Sequence, residues 1–144
     1  MSPSRASAVL PGLRRRCIAL MRTPACVPLP YYSDASGALR GYVRYANGSF
    51  TEFMATGNAT FTVPASINWL GTVVGSYFSP SFPFPTFAET FVRFASGAVV
   101  LFNAPEAGQL GTEPFAINSF DEFTGLWFDA NFVGHGFVAA AVPW

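Results

Sequence analysis

His135 is the only histidine of the chain, and it stands between Gly134 and Gly136 with Asp121, Glu122 and Asp129 nearby in sequence. An imidazole among carboxylates can ligate a metal or relay a proton. A metal site at this spacing needs a second imidazole or a thiolate, and neither is close. Both cysteines, Cys17 and Cys26, precede residue 34, so disulfide and thiol chemistry are confined to the N-terminal stretch. The chain has no Gly-x-Ser-x-Gly, no His-x-x-x-His and no phosphate-cradling glycine loop. These residues assign no catalytic group, no metal ligand and no cofactor, and His135 reads as a solvated turn residue.

Aromatic and arginine side chains at alternate positions point instead to binding. Tyr42, Arg44 and Phe53 recur as Phe91, Arg93 and Phe102, an offset of 49. In two hairpins with two-residue turns, each trio falls on the face opposite an apolar one, so the spacing predicts these six residues on the outside. Rings beside guanidinium groups are what protein interfaces enrich. The same chemistry suits a membrane surface, where rings lie at headgroup depth and cations meet anionic lipid. A structural alternative packs the six under the N-terminal stretch or the C-terminal tail.

The elements that would carry them come from a repeat. Tyr42-Val43-Arg44-Tyr45-Ala46-Asn47-Gly48 returns as Phe91-Val92-Arg93-Phe94-Ala95-Ser96-Gly97, again at 49. Thr62-Val63-Pro64-Ala65-Ser66-Ile67-Asn68 returns at 50 as Thr112-Glu113-Pro114-Phe115-Ala116-Ile117-Asn118. Gly75, Tyr77, Phe78, Phe82 and Phe87 match Gly125, Trp127, Phe128, Phe132 and Phe137, also at 50, so one inserted residue separates the blocks. Asn47-Gly48 between β-rich runs is a strong hairpin signal, and Ser96-Gly97 is its weaker counterpart. A two-residue loop pairs Val43 with Glu52 and Tyr45 with Phe50, then Val92 with Leu101 and Phe94 with Val99, on a face directed to the core. Further strands are expected near 59–63 and 67–78, with counterparts near 109–117 and 123–133. No segment shows a helical period.

Four strands per copy make about eight, and open edges invite aggregation. The expected fold is therefore all-β, a closed antiparallel barrel of about eight strands from two tandem Greek-key-like repeats, about 39–88 and 89–138, after an irregular arm. The Pro-rich run Ser79-Pro80-Ser81-Phe82-Pro83-Phe84-Pro85 would be the extended connection between the halves.

Composition bounds the partners. Of 144 residues, 51% are hydrophobic and 11% charged, against about 25% charged in an average soluble domain, so apolar groups must reach the surface. The zero net charge conceals an asymmetry: residues 1–33 carry five Arg and no acid, and residues 34–144 carry three Arg and eight acids. A basic arm or targeting segment, 1–33, thus precedes a mildly acidic domain, 34–144, whose charge argues against nucleic acid. The arm's Ser, Arg and Pro resemble an organellar transit peptide. An over-extended gene start, with Met21 as a later initiator, reads equally from it, and so does a plain disordered extension. Its apolar run is short for a secretory signal.

Thr62-Val63-Pro64, Trp69-Leu70-Gly71-Thr72, Thr90-Phe91 with Phe94 and Gly97, Leu110-Gly111, and Gly125 with Trp127 resemble the core of the virulence-associated (Vap) proteins of actinobacterial pathogens. The resemblance spans about residues 58–133. It implies an eight-stranded closed barrel, secreted and non-enzymatic, acting on host endolysosomal membranes, with no catalytic residues to carry over. The Pro-Phe run stands where that family has ordinary turns. Together these features predict a non-enzymatic β-barrel that binds a membrane lipid or a protein partner through its surface. A self-assembling structural subunit of virion type, hence a homo-oligomer, is an alternative; so is a lipocalin-like carrier or isomerase with an apolar ligand inside the barrel.

Overall fold

The computed structural model describes residues 26–27, 31–45, 47–78 and 88–142. The arm's arginines and Cys17, the Pro-rich connection, and the matched Phe82 and Phe87 lie outside the described residues. The described chain is all-β, with eleven strands: β1 Cys26–Val27, β2 Tyr31–Ser33, β3 Leu39–Tyr45, β4 Phe50–Phe53, β5 Phe61–Ile67, β6 Val73–Phe78, β7 Glu89–Arg93, β8 Val99–Phe102, β9 Thr112–Ile117, β10 Glu122–Phe128 and β11 Gly134–Ala140. Strand pairing begins inside the expected arm, because β1 and β2 both pair with β3.

The strands form two sheets that do not close into a barrel. One has eight strands in the order β1-β3-β5-β6-β7-β8, with β2 and β4 also on β3, and the other runs β11-β10-β9. The closed barrel is thus overturned, and the reason lies in the aromatic packing. Phe102 of β8 sits over Phe123 of β10 and Phe137 of β11, with ring centroids 5.4 and 5.3 Å apart. Rings between two layers hold sheets about 10 Å apart, too far for β8 and β11 to exchange backbone bonds. With no closed barrel there is no barrel interior, and the carrier or isomerase reading loses its cavity.

The hairpin register also differs from expectation by one residue. Tyr45 N–H donates to Ser49 O at 2.8 Å and Gly48 N–H to Tyr45 O at 2.9 Å, so the loop holds three residues and not two. Gly48 takes the left-handed conformation, φ 87°, that such a loop requires at its last position. Gly97 does the same at φ 92°, with Phe94 N–H donating to Ala98 O at 2.9 Å. The pairs are therefore Tyr42 with Glu52, Val43 with Thr51, Phe91 with Leu101 and Val92 with Val100. A one-residue slip exchanges the faces of one strand against the other. Tyr42 thus lies on the face opposite to Phe53, and Phe91 opposite to Phe102.

Equivalent bonds recur at the offsets of 49 and 50. Ala55 N–H donates to Thr62 Oγ1 at 3.0 Å, and Ala104 N–H to Thr112 Oγ1 at 3.0 Å. Leu39 bridges Phe61 in parallel, and Ala88 bridges Gly111 in parallel. The β5–β6 ladder slips between Pro64 and Ser66, and the β9–β10 ladder slips at the matching step, where Pro114 faces Gly125 and Ala116 faces Thr124. The inserted residue falls in the loop after β8, between Ala104 and Thr112. We call β3–β6 unit one and β7–β10 unit two.

Each unit has its own core. Val43, Phe53, Ile67 and Val73 meet in the first cluster, and Val92, Phe102, Ile117 and Phe123 meet in the second. Each core is completed by the strand that follows the unit. Phe91 of β7 enters the first cluster and Phe137 of β11 packs against the second. The seat of each ring is a glycine directly across the ladder, Gly75 for Phe91 and Gly125 for Phe137. By this register β3, β7 and β11 are counterparts, and Phe137 answers to Phe91 and not to Phe87.

Candidate functional site

Of the six residues expected on an outer aromatic–Arg face, Phe53, Phe91, Arg93 and Phe102 turn inward, and only Tyr42 and Arg44 stay on an outer face. Phe91 is wholly buried, 0% exposed, in the first core. Phe53 packs beside it with ring centroids 5.7 Å apart, and the guanidinium of buried Arg93 lies 4.9 Å from the Phe53 ring centroid. That contact is a cation–π pair within the molecule, not an offer to a partner. Phe102 belongs to the second core. Tyr42 is half-buried between Tyr32 and Phe50, at 6.4 and 6.2 Å, and only Arg44 is fully exposed. The three-residue loops turn Phe53 and Phe102 inward, beside Val43 and Val92, and Phe91 is buried because the first core covers the other face of β7. On the face expected in the core, Val43 is buried, whereas Tyr45 and Phe50 are exposed.

His135 is not a solvated turn residue but part of β11, opposite Trp127, and its ring stacks on the indole at 4.2 Å and 18°. Its Nε2 lies 3.1 Å from Asp129 Oδ2. Asp129 Oδ1 accepts the Val133 and Asn131 N–H groups at 3.0 and 2.8 Å. The Val133 N–H first, and His135 next, hold this carboxyl below the ordinary carboxylate range. The β2–β3 turn repeats the plan. Asp34 Oδ1 accepts the Ser36 and Ala38 N–H groups, and Asp34 Oδ2 accepts from Arg40 Nε at 2.7 Å. The arrangement recurs on a hairpin with Arg in place of His, and in both places the carboxylate fastens a turn. Among the described residues no group of three His, Cys, Asp or Glu could hold a metal ion.

A consequence for pH follows. The Ser36 hydroxyl and then Arg40 lower the Asp34 carboxyl far below its ordinary value. A lowered folded-state pKa contributes stability that is present above the unfolded value, about 3.9, and lost as pH falls through the folded one. Asp34→Asn should therefore show a smaller decline of melting temperature than wild type between pH 4 and strong acid, followed by circular dichroism. An equal decline in both would show that the Asp34 turn does not sense acid.

One exposed apolar patch lies at the end formed by loops 68–72, 94–98 and 118–122. Asn68 opens a turn inside the strand expected over 67–78, Asn118 opens the matching turn of the repeat, and each Oδ1 accepts two backbone N–H groups: Leu70 and Thr72 at 3.0 Å, Phe120 and Glu122 at 2.8 and 3.0 Å. Asn68 Nδ2 then crosses to the other unit, donating to Asn118 O at 2.9 Å and to Asp121 Oδ1 at 2.6 Å. Gly71, at φ 84°, lets its loop approach Ala95, whose side chain would lie 3.3 Å from an added Cβ. The turns so fixed project Trp69, Leu70 and Phe120, which are 61%, 42% and 81% exposed. Between Leu70, Thr72, Phe94, Val99 and Val100 lies an apolar cleft of about 470 Å³. The charged side chains on the two turns are Asp121 and Glu122, both acidic.

Composition requires that apolar groups reach the surface, but it does not say which ones, and sequence reasoning singled out the hairpin faces and not these turns. The signal that could have found them is the Asn at the first position of each turn, which places the next two residues at a turn tip. The chain matches no family model, no curated protein and no solved structure at the level searched. The functional reading therefore rests on the geometry of this molecule.

Proposed function

We propose that this protein is a non-enzymatic binding protein that takes a protein partner on the apolar end formed by Trp69, Leu70, Phe120 and the adjoining cleft. The observation that carries the reading is that hydrogen-bonded turns hold three large apolar side chains, Trp69, Leu70 and Phe120, out in water side by side at one end. Trp and Phe beside a cleft are the composition of a binding hot spot, where one inserted side chain dominates affinity. The acidic flanks, Asp121 and Glu122, favour a partner with cations at its rim and disfavour anionic lipid.

A photo-crosslinking residue in place of Phe120, used in the native source, tests this. One dominant protein adduct is expected, and it should vanish when Trp69→Ser and Leu70→Ser are added, with the melting temperature unchanged. An adduct that survives both substitutions would exclude this end as the contact. A blue shift of tryptophan emission on adding phosphatidylcholine vesicles, absent in Trp69→Ser, would assign the surface to lipid instead.

A further inference from the structure

The outer edge of β11 is one of the strand edges that meet no partner among the described residues. This strand bonds to β10 along one side only. Ala141 N–H donates to Asp121 O at 2.8 Å and Asp129 N–H to Val133 O at 3.0 Å, so odd-numbered residues turn their backbone groups toward β10. By the alternation of an antiparallel ladder, Gly136, Val138 and Ala140 turn theirs to the opposite side. Among the described residues no strand meets that side. In both counterparts of β11 the same side is filled by an antiparallel strand: β4 lies there on β3, and β8 lies there on β7.

We infer that this edge pairs antiparallel with β11 of a second copy of the chain, joining two three-stranded sheets into one of six. The edge is compatible with its own image. Centred on Val138, the pairing sets Val138 against Val138 and Gly136 against Ala140, with no like charges opposed. It also brings together the even-numbered residues whose N–H and C=O groups meet no strand among the described residues. A two-fold axis satisfies both copies at once and closes the assembly at two. Natural edges that stay single carry Lys, Pro or a bulge; β11 has none of these, and its outward Val138 is 72% exposed. This surface is separate from the loop end of Trp69 and Phe120.

Sedimentation of the full-length chain over a wide concentration range tests the inference, with Val138→Pro as the main variant. Proline there removes an N–H that β10 does not use, so the fold should persist while the pairing loses bonds on both sides of the axis. Wild type should sediment as a dimer, and Val138→Pro should raise its dissociation constant about tenfold or more. Should Val138→Pro fail to fold by circular dichroism, Val138→Lys decides, since it keeps the N–H but sets two cations across the axis. Wild type that is monomeric throughout, or a dimer that persists in the folded variant, overturns the inference. A dimer lost in Trp69→Ser with Phe120→Ser places the contact on the loop end and equally overturns it.

Discussion

Phe91→Ala is expected to lower unfolding free energy by about 3–5 kcal/mol, the range for truncating a buried Phe, whereas Phe50→Ala should stay within about 0.5 kcal/mol, as for other exposed sites. The contrast has two causes. The three-residue loop with Gly48 in the left-handed region pairs Phe50 with Arg44 and turns it away from Val43 and the core, whereas Phe91 is buried because β7 is covered on both faces, Phe91 by the first core and Val92 by the second. Phe91 touches Phe53 and Gly75 and completes a cluster with Val43, Val73 and Tyr77. Its removal leaves a hole in a core that no neighbouring loop can refill, because β6 and β7 are fixed by ladders on both sides. Since a domain of this size has about 5–15 kcal/mol in total, the variant should be near its limit. Urea denaturation of both variants measures the difference. A Phe50→Ala loss equal to that of Phe91→Ala would refute the register.

The second large effect concerns the glycines beneath the rings. A Cβ on Gly75 would stand 2.4 Å from Val63 O and 2.7 Å from the Phe91 ring. On Gly125 it would stand 2.1 Å from Glu113 O and 2.8 Å from the Phe137 ring. The obstacle in each case includes backbone oxygen, which cannot swing aside as a flexible side chain does. Gly75→Ala and Gly125→Ala should each cost about 3 kcal/mol or more, the upper end of overpacking. Gly136→Ala, with open space around the new methyl, should be neutral or stabilising by about 0.5 kcal/mol through the unfolded chain. Melting temperatures of the three variants, taken side by side, are the check. Equal values for Gly125→Ala and Gly136→Ala would mean the ring does not lie on the glycine.

Much of the strand content was legible. The repeated Tyr-Val-Arg-Tyr and Phe-Val-Arg-Phe runs are β3 and β7, and the matched Thr-x-Pro runs are β5 and β9. Three strands escaped: β1 and β2, inside the expected arm, and β11. β11 reads Gly-His-Gly-Phe-Val-Ala-Ala, with little β-propensity, and it is held by β10 and by the seat that Gly125 offers Phe137. β2 owes its place to the Asp34 turn and to β3. Closure was inferred from the need to hide edges, but edge pairing and face packing compete, and the rings of Phe102, Phe123 and Phe137 decided for faces. The site was the least legible part. Whether Trp69, Leu70 and Phe120 point in or out depends on two asparagine side chains that bind their own turns, and hydrophobicity alone does not reveal it.

The strands β6 and β7 serve both cores, giving Val73, Tyr77 and Phe91 to one and Val74 and Val92 to the other. They are a party wall, and neither room can be emptied while the other stands. Although the chain reads as two tandem halves, it must therefore melt as one body: disorder that starts in either half strips the shared partition of a face and carries the second half with it.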